Sequence, residues 1–184
     1  MTTFVLVTTI LSVVLMVGFV ALSVRKYGLL SSYSSYNIPW DEACPIHNAH
    51  LWSIVTFVIA FLFMPATVEL GANNPLQFLG FFVPLYLFIV AVCPITEEKP
   101  GMNEYEKKEY RAKRVVHVAG AIGCAVAITL WLILVCHLWW VLLSAIALVM
   151  GAAISTKTFK RSYIFWGEMV LFLSGYSAIL ISML

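Results

Sequence analysis

The chain has 184 residues, of which 62% are hydrophobic and only 11% are charged, and its mean hydropathy is +0.95. Soluble domains carry about 25% charged residues, so the composition indicates an integral membrane protein and excludes a soluble domain of ordinary size. The formal net charge is +2, and the basic residues flank apolar stretches, which argues against nucleic acid as a partner.

The N-terminal half contains three predicted spans. The first, about 3–23, ends at the basic pair Arg25 and Lys26, and a spanning helix needs about 20 apolar residues. The next segment, 27–46, reads YGLLSSYSSYNIPWDEACPI and is too polar to span alone. It is a loop, an interfacial helix or a re-entrant segment, since non-helical backbone at membrane depth needs protein or water around it. Spans at about 48–69 and 76–92 follow, joined by a short turn.

The C-terminal half begins with the only strongly charged segment. Residues 103–114 read NEYEKKEYRAKR, with acidic residues first and basic residues last, an order that favours a helix. We predict a short cytoplasmic amphipathic helix there that runs into the next span. Residues 115–155 carry no charge and are about twice as long as one span requires, which predicts a hairpin. Its turn falls at Cys136-His137.

Together these elements predict an all-α polytopic membrane protein with six transmembrane helices in one bundle, which forms a single domain over residues 1–184. The predicted spans are about 3–23, 48–69, 76–92, 115–135, 138–155 and 163–184. All eleven Lys and Arg residues fall in three segments, at 25–26, 99–114 and 157–161. Cytoplasmic loops carry the excess of basic residues. The pattern therefore predicts a multi-pass protein of the inner (plasma) membrane with its N- and C-termini outside.

Polar residues within apolar spans are the candidates for function, because an ionisable residue there is costly. Glu168 is the clearest case, since it lies about two helical turns past Arg161. His117 lies at a similar depth at the start of the fourth span, so we predict that Glu168 and His117 interact, directly or through one water. The predicted orientation brings further polar residues to the same level: Asp41, Glu42, Cys44, His47 and His50.

A metal site is one interpretation of this polar cluster. Zinc takes His, Cys and carboxylate ligands, and in CPIHNAH the residues Cys44, His47 and His50 recur every three positions, which places them along one side of a helix. The candidate ligands are Asp41, His47, His50 and His117. The sequence has neither an HExxH motif nor a CxxC pair. We therefore expect no cofactor, with zinc as the open alternative.

Two resemblances follow from short motifs. GLLSSYSSY, PLQFLGFF, VVHVAGAIGC and FWGEMVLFLSGY, in that order, resemble small uncharacterised six-span bacterial membrane proteins of the Bacteroidetes type, with motifs such as SLSATYY, LQFLAF, VHYIAA and FWAE. This resemblance implies that Tyr33, Tyr36, His117 and Glu168 are motif positions, and it implies no activity. The chain also resembles the alkaline ceramidase and adiponectin-receptor superfamily of seven-span zinc hydrolases. It differs from them in its six spans and in lacking an HxxxH motif near its end.

The predicted function is to bind or sense a lipid or small apolar ligand in a cytoplasm-facing polar pocket. The residues expected to form that pocket are Asp41, His47, His50, His117, Glu168, Tyr33 and Tyr36. A metal-dependent membrane lipid amidase or hydrolase is one alternative, and a small proton-coupled transporter is another. Membrane lipids are the expected partners, and a second copy of the chain or another membrane protein is possible.

Overall fold

The computed structural model describes residues 2–43, 50–94 and 101–182. Within these ranges the chain is helical and contains no β-strand, which confirms the predicted all-α class. A 3₁₀ turn, Ser34–Tyr36, precedes α2, and a π-helical turn, Trp131–Val135, extends α5. The α-helices are α1 (Thr3–Tyr27), α2 (Asn37–Ala43), α3 (Leu51–Glu69), α4 (Phe78–Val92), α5 (Glu104–Leu130), α6 (Trp139–Ser155) and α7 (Phe159–Ile181).

Four of the described helices are long and apolar enough to cross a membrane. They are α1, α3, α5 together with its π-helical turn, and α7, with 25, 19, 32 and 23 residues. The helices α4 and α6 are apolar but have only 15 and 17 residues. At 1.5 Å per residue they measure about 22 and 25 Å, less than the roughly 30 Å of a hydrocarbon core. Length and composition thus support a membrane protein.

The charged segment is helical and runs into the next apolar stretch, as the sequence predicts. It forms the first turns of α5, which continues without a break to Leu130. Asn103 caps this helix, because its side chain accepts a hydrogen bond from Glu106 N at 2.9 Å and its own N–H donates to the Glu106 carboxylate at 2.8 Å. This capping box fixes the start of the helix. No Gly or Pro lies between 104 and 119 to stop it.

Most of the packing joins helices that are close in the chain. Helix α1 packs on α3, α3 on α4, α4 on α5, and α6 on α7. Gly80 of α4 shows how close this packing is, since a Cβ atom there would overlap the carbonyl oxygen of Thr67 on α3. The same carbonyl accepts a hydrogen bond from Trp131 Nε1 at 3.1 Å. Small residues allow such approaches between membrane helices.

Helix α7 is broken near its start, and the break joins it to the segment after α1. Ser162 has non-helical dihedral angles (φ −134°, ψ 35°). Phe165 N, which a regular helix would pair with its own preceding turn, donates instead to the carbonyl oxygen of Ser31 at 3.0 Å. Residues 28–36 therefore pack into the bundle beside α7, with Tyr33 only 3% exposed and Tyr36 fully buried.

The basic segments meet at one end of the bundle, which we call the basic end. The Ser31–Phe165 hydrogen bond joins the chain after α1 to the start of α7. A second bond, from His117 to the carbonyl of Cys93, joins the end of α4 to the start of α5. Arg25, Lys113 and Arg161 lie near these junctions in sequence. Trp52 links the two junctions, because its Nε1 donates to the carbonyl oxygen of Tyr33 at 3.1 Å and the centroid of its ring lies 6.4 Å from that of the His117 ring. The basic clusters of α1, α5 and α7 therefore lie at the same end.

Candidate functional site

A cavity of about 60 Å³, which we call the inner cavity, lies between α3, α4, α5, α7 and the segment after α1. Its walls are mostly apolar, and Phe63, Val83, Leu87 and Phe172 are among them. The polar groups that reach it are Tyr33, Ser34, Thr56, Cys124, Glu168 and Tyr176. A water molecule needs roughly 10–15 Å³ of such space and two to four polar partners. The cavity therefore has room for a few waters or for a polar group of a few atoms.

Among the described residues that line this cavity, Glu168 is the only one with a carboxyl group. Its Oε2 accepts a hydrogen bond from the backbone N–H of Tyr33 at 2.6 Å. Its other oxygen forms no hydrogen bond with the described part of the chain. A carboxyl group has about four acceptor sites on its two oxygens, so Glu168 keeps capacity for a further donor. That donor would lie in the cavity.

Tyr33 is the residue that ties Glu168 to the rest of the bundle. Its carbonyl oxygen accepts from Trp52 Nε1 at 3.1 Å, and its hydroxyl lies 3.1 Å from Thr56 Oγ1. With the Glu168 bond, all three of its polar groups are hydrogen-bonded. Tyr33 lies outside the spanning helices, and burial raises the pKa of its hydroxyl, while the Thr56 bond opposes that rise. The hydroxyl therefore stays protonated and can donate at the cavity wall.

The opposite end of the cavity has a second polar contact. Ser12 Oγ donates to the carbonyl oxygen of Ile59 at 3.2 Å and lies 2.6 Å from the Tyr176 hydroxyl. Because Ser12 has one proton, the Tyr176 hydroxyl is the donor in the second bond. Glu168 and Tyr176 are eight residues apart on α7, which corresponds to about 12 Å along the helix. The cavity therefore reaches well beyond the polar level that the sequence predicts.

The structure shows no direct hydrogen bond between Glu168 and His117, and their predicted interaction through one water stays a prediction. His117 is buried, as expected, but its Nδ1 lies 2.7 Å from the carbonyl oxygen of Cys93 at the end of α4. Glu168 accepts from Tyr33 instead. The physical reason is that both side chains lie near the basic end, but the depth of a residue along its helix does not determine which neighbouring helix its side chain faces. His117 is not among the residues that line the cavity.

The other predicted site residues are dispersed. Tyr36 is buried, and its hydroxyl donates to Gly28 O at 2.7 Å and accepts from Leu30 N at 3.3 Å. Both hydrogen bonds stabilise the segment that contains Tyr36. His50 is exposed at the start of α3. Asp41 lies in α2, and its side chain is not among those described. Glu42 also lies in α2, and its side chain is likewise not among those described. Cys44 and His47 lie outside the described residues.

The described part of the chain does not supply a set of ligands for the zinc ion considered from the sequence. No three His, Cys, Asp or Glu side chains come close enough there to hold a metal ion. His117 has one ring nitrogen occupied by the Cys93 carbonyl. Two of the candidates named from the sequence, Asp41 and His47, fall where side chains are not described. The described side chains alone therefore do not form a metal centre.

Besides Ser34, three polar residues of the cavity, all in apolar helices, were not predicted from the sequence as site residues: Thr56, Cys124 and Tyr176. A polar side chain of this kind in an apolar helix is a signal that also marks ordinary packing. The Cys124 thiol lies 3.7 Å from the carbonyl oxygen of Val83. A finer signal was available in SGY at 174–176, where a tyrosine hydroxyl deep in a span needs a partner.

The cavity combines one carboxyl group with free acceptor capacity, several hydroxyl groups and apolar walls. Such a site can bind a hydrogen-bond donor or a cation that carries an apolar body, and its carboxyl group can exchange a proton. Comparison with known proteins gives no identity: no protein-family model, no curated protein and no solved structure matches the chain.

Proposed function

We propose that this membrane protein binds a small amphipathic ligand, or the head of a lipid, in the cavity between α3, α4, α5 and α7. The single observation that carries the proposal is Glu168, which lines the cavity with one oxygen held by Tyr33 N and the other without a hydrogen bond to the described residues. Intramembrane ionisable residues generally mark functional sites. Apolar walls with a few placed polar groups are typical of ligand pockets.

The size and chemistry of the cavity define the ligand class. A cavity of about 150 Å³ holds benzene, whereas this one measures about 60 Å³. The group that enters is therefore small, and an ammonium or hydroxyl head on an apolar chain matches both the acceptor and the walls. The Tyr33 hydroxyl at one end of the cavity can donate to the ligand, and the Tyr176 hydroxyl at the other end, which donates its proton to Ser12, can accept from it.

Aliphatic probes that carry a diazirine and end in an ammonium, a hydroxyl or a methyl group test this proposal. On purified protein in nanodiscs, the two polar probes should label peptides from α5 and α7 that face the cavity. Glu168→Gln should weaken labelling by the ammonium probe roughly tenfold, since a charge-assisted hydrogen bond contributes about 1.5–3 kcal/mol. The matched control is Ser144→Ala, because Ser144 is exposed and bonds only within its own helix. Equal labelling by all three probes, unchanged in Glu168→Gln, would contradict the proposal.

Proton-coupled transport is the second candidate, and the break in α7 favours it. Transporters place discontinuous helices around their substrate and coupling-ion sites. Here Ser162 interrupts α7 six residues before Glu168, and the irregular residues 28–33 pack against that break. Proteoliposomes with an internal pH dye distinguish the two functions. Ligand-driven proton flux that disappears in Glu168→Gln would favour transport, and binding without flux would favour a binding protein.

We further propose that six helices cross the bacterial inner membrane, with both termini outside and the basic end in the cytoplasm. The alternation of α3, α4, α5, α6 and α7 between the basic end and the other end supports this arrangement, as does the distribution of Lys and Arg. In a background without the native cysteines, single cysteines at 72 and 137 should be labelled from outside intact cells. A cysteine at 105 should be labelled only after permeabilisation, and labelling there in intact cells would overturn the orientation.

A further inference from the structure

A second concave region opens at the basic end, between the start of α3, the end of α4 and the start of α5. Its volume is about 430 Å³. We call it the lateral groove and define it by six of its lining residues: His50, Ser53 and Lys113, which are polar, and Ile54, Phe57 and Val92, which are apolar. It shares no lining residue with the inner cavity.

The lateral groove changes from polar to apolar along its length. His50, Ser53, Ile54 and Phe57 lie at spacings of three, four and seven residues, which places them on one side of α3. From His50 to Phe57 the helix rises about 10 Å. The apolar walls are open to the surroundings, since Ile54 is 56%, Phe57 46% and Val92 67% exposed. The groove thus begins at the level of the basic residues and continues toward the middle of the bundle.

The polar end has donors that can take a further acceptor. Lys113 Nζ pairs with Glu109 at 2.7 Å, and the Lys113 side chain remains 55% exposed. An ammonium group has three N–H donors, so donors remain after this pair forms. Ser53 Oγ is buried and has no hydrogen-bond partner in the described part of the chain. Its hydroxyl can donate to an acceptor that enters the groove.

We propose that the lateral groove binds one anionic phospholipid, with the phosphate at Lys113 and Ser53 and an acyl chain along Ile54, Phe57 and Val92. Charge complementarity argues for an anionic lipid, because residues 107–114 contain five basic residues and one acidic residue. Juxtamembrane basic segments attract anionic lipids in this way. The open apolar wall argues for a bilayer lipid over soluble phosphate, since phosphate alone would leave that wall uncovered.

Lipid retention measured by native mass spectrometry tests the site. Detergent-purified protein is titrated with phosphatidylglycerol or with phosphatidylcholine of the same chain length. The wild type should retain phosphatidylglycerol preferentially, and Lys113→Gln should reduce that retention about fivefold, the effect of one basic residue near a membrane surface. Phe57→Ala should reduce retention of both lipids, because it shortens the apolar wall.

Lys107→Gln is the matched control. Lys107 lies on the same helix and also pairs with a glutamate, Glu104, at 3.2 Å, but it is not among the residues that line the groove. It should retain phosphatidylglycerol like the wild type. Equal losses in the Lys113 and Lys107 variants would overturn the proposal, since they would indicate a diffuse charge effect. Displacement of the lipid by millimolar inorganic phosphate would overturn it as well, because the acyl chain would then contribute nothing.

Discussion

Replacing Glu168 by Leu should destabilise the protein more than replacing it by Gln. Both substitutions remove the carboxyl group, but a glutamine carbonyl can still accept the hydrogen bond that Tyr33 N now donates to Glu168 at 2.6 Å. Leucine has no acceptor, and Tyr33 is only 3% exposed, so its N–H would be left without a partner in an apolar environment. The difference between the two variants therefore isolates one buried donor.

The magnitude follows from the cost of that donor. A buried polar group left unsatisfied costs about 1–3 kcal/mol. For a chain of 150–250 residues, 1 kcal/mol corresponds to about 2–4 °C in melting temperature. The Leu variant should therefore melt roughly 2–12 °C below the Gln variant. Thermal unfolding in one detergent, followed by circular dichroism and by the reactivity of the native cysteines, measures this difference.

Glu109 provides the matched control, because it is a glutamate on the surface of α5 whose partner is the i+4 residue Lys113. Glu109→Gln and Glu109→Leu lose the same exposed ion pair, which contributes at most about 0.5 kcal/mol. Their melting temperatures should nearly coincide. If Glu168→Gln and Glu168→Leu also coincide, the Tyr33–Glu168 hydrogen bond does not hold the segment after α1 against α7, and the reasoning fails.

Three further outcomes are expected. Amide hydrogen exchange over residues 103–114 should be slow in anionic bilayers. Asn103→Ala should make it faster, since loss of an N-cap costs about 1 kcal/mol of helix stability. Rapid exchange throughout this segment in the wild type would argue against a continuous helix. Gly80→Ala should lower the free energy of unfolding by about 1–3 kcal/mol through overpacking. Gly151→Ala should not lower it, because no atom lies within 4 Å of the added Cβ. Equal melting temperatures of the two variants would contradict the close approach of α3 and α4 at Gly80. Trp131→Phe should lower the free energy of unfolding by about 0.5–1.5 kcal/mol, because it removes an interhelical hydrogen bond. An unchanged melting temperature would show that this bond does not stabilise the fold.

Helix positions could be read from the sequence because hydropathy and charge act locally. The predicted span at 76–92 corresponds to α4 (Phe78–Val92), and that at 138–155 corresponds to α6 (Trp139–Ser155). The turn at Cys136-His137 was found from its polar side chains alone, and His137 adopts a positive φ of 55° there. Such features depend on a few consecutive residues, so one sequence suffices to place them.

The partners within the site could not be read in the same way. Glu168 was recognised because a carboxyl group in an apolar span is exceptional. Its partner is a backbone N–H, a group that nearly every residue has, 135 positions away. The choice between that N–H and His117 depends on how α5 and α7 rotate about their axes and on the break at Ser162. These are properties of packing, and no periodicity in the chain specifies them.

The contact between residues 31–33 and α7 has a consequence for biosynthesis. Ser31 O and Tyr33 N receive their partners from Phe165 and Glu168, which are made long after them. At about 5–20 residues per second, a ribosome needs roughly 7–27 s to add the intervening residues. During that interval the segment after α1 has no access to these partners, so water, lipid headgroups or the insertion machinery must satisfy its backbone. The inner cavity can close only when α7 arrives, which makes insertion of this helix the step that completes the site.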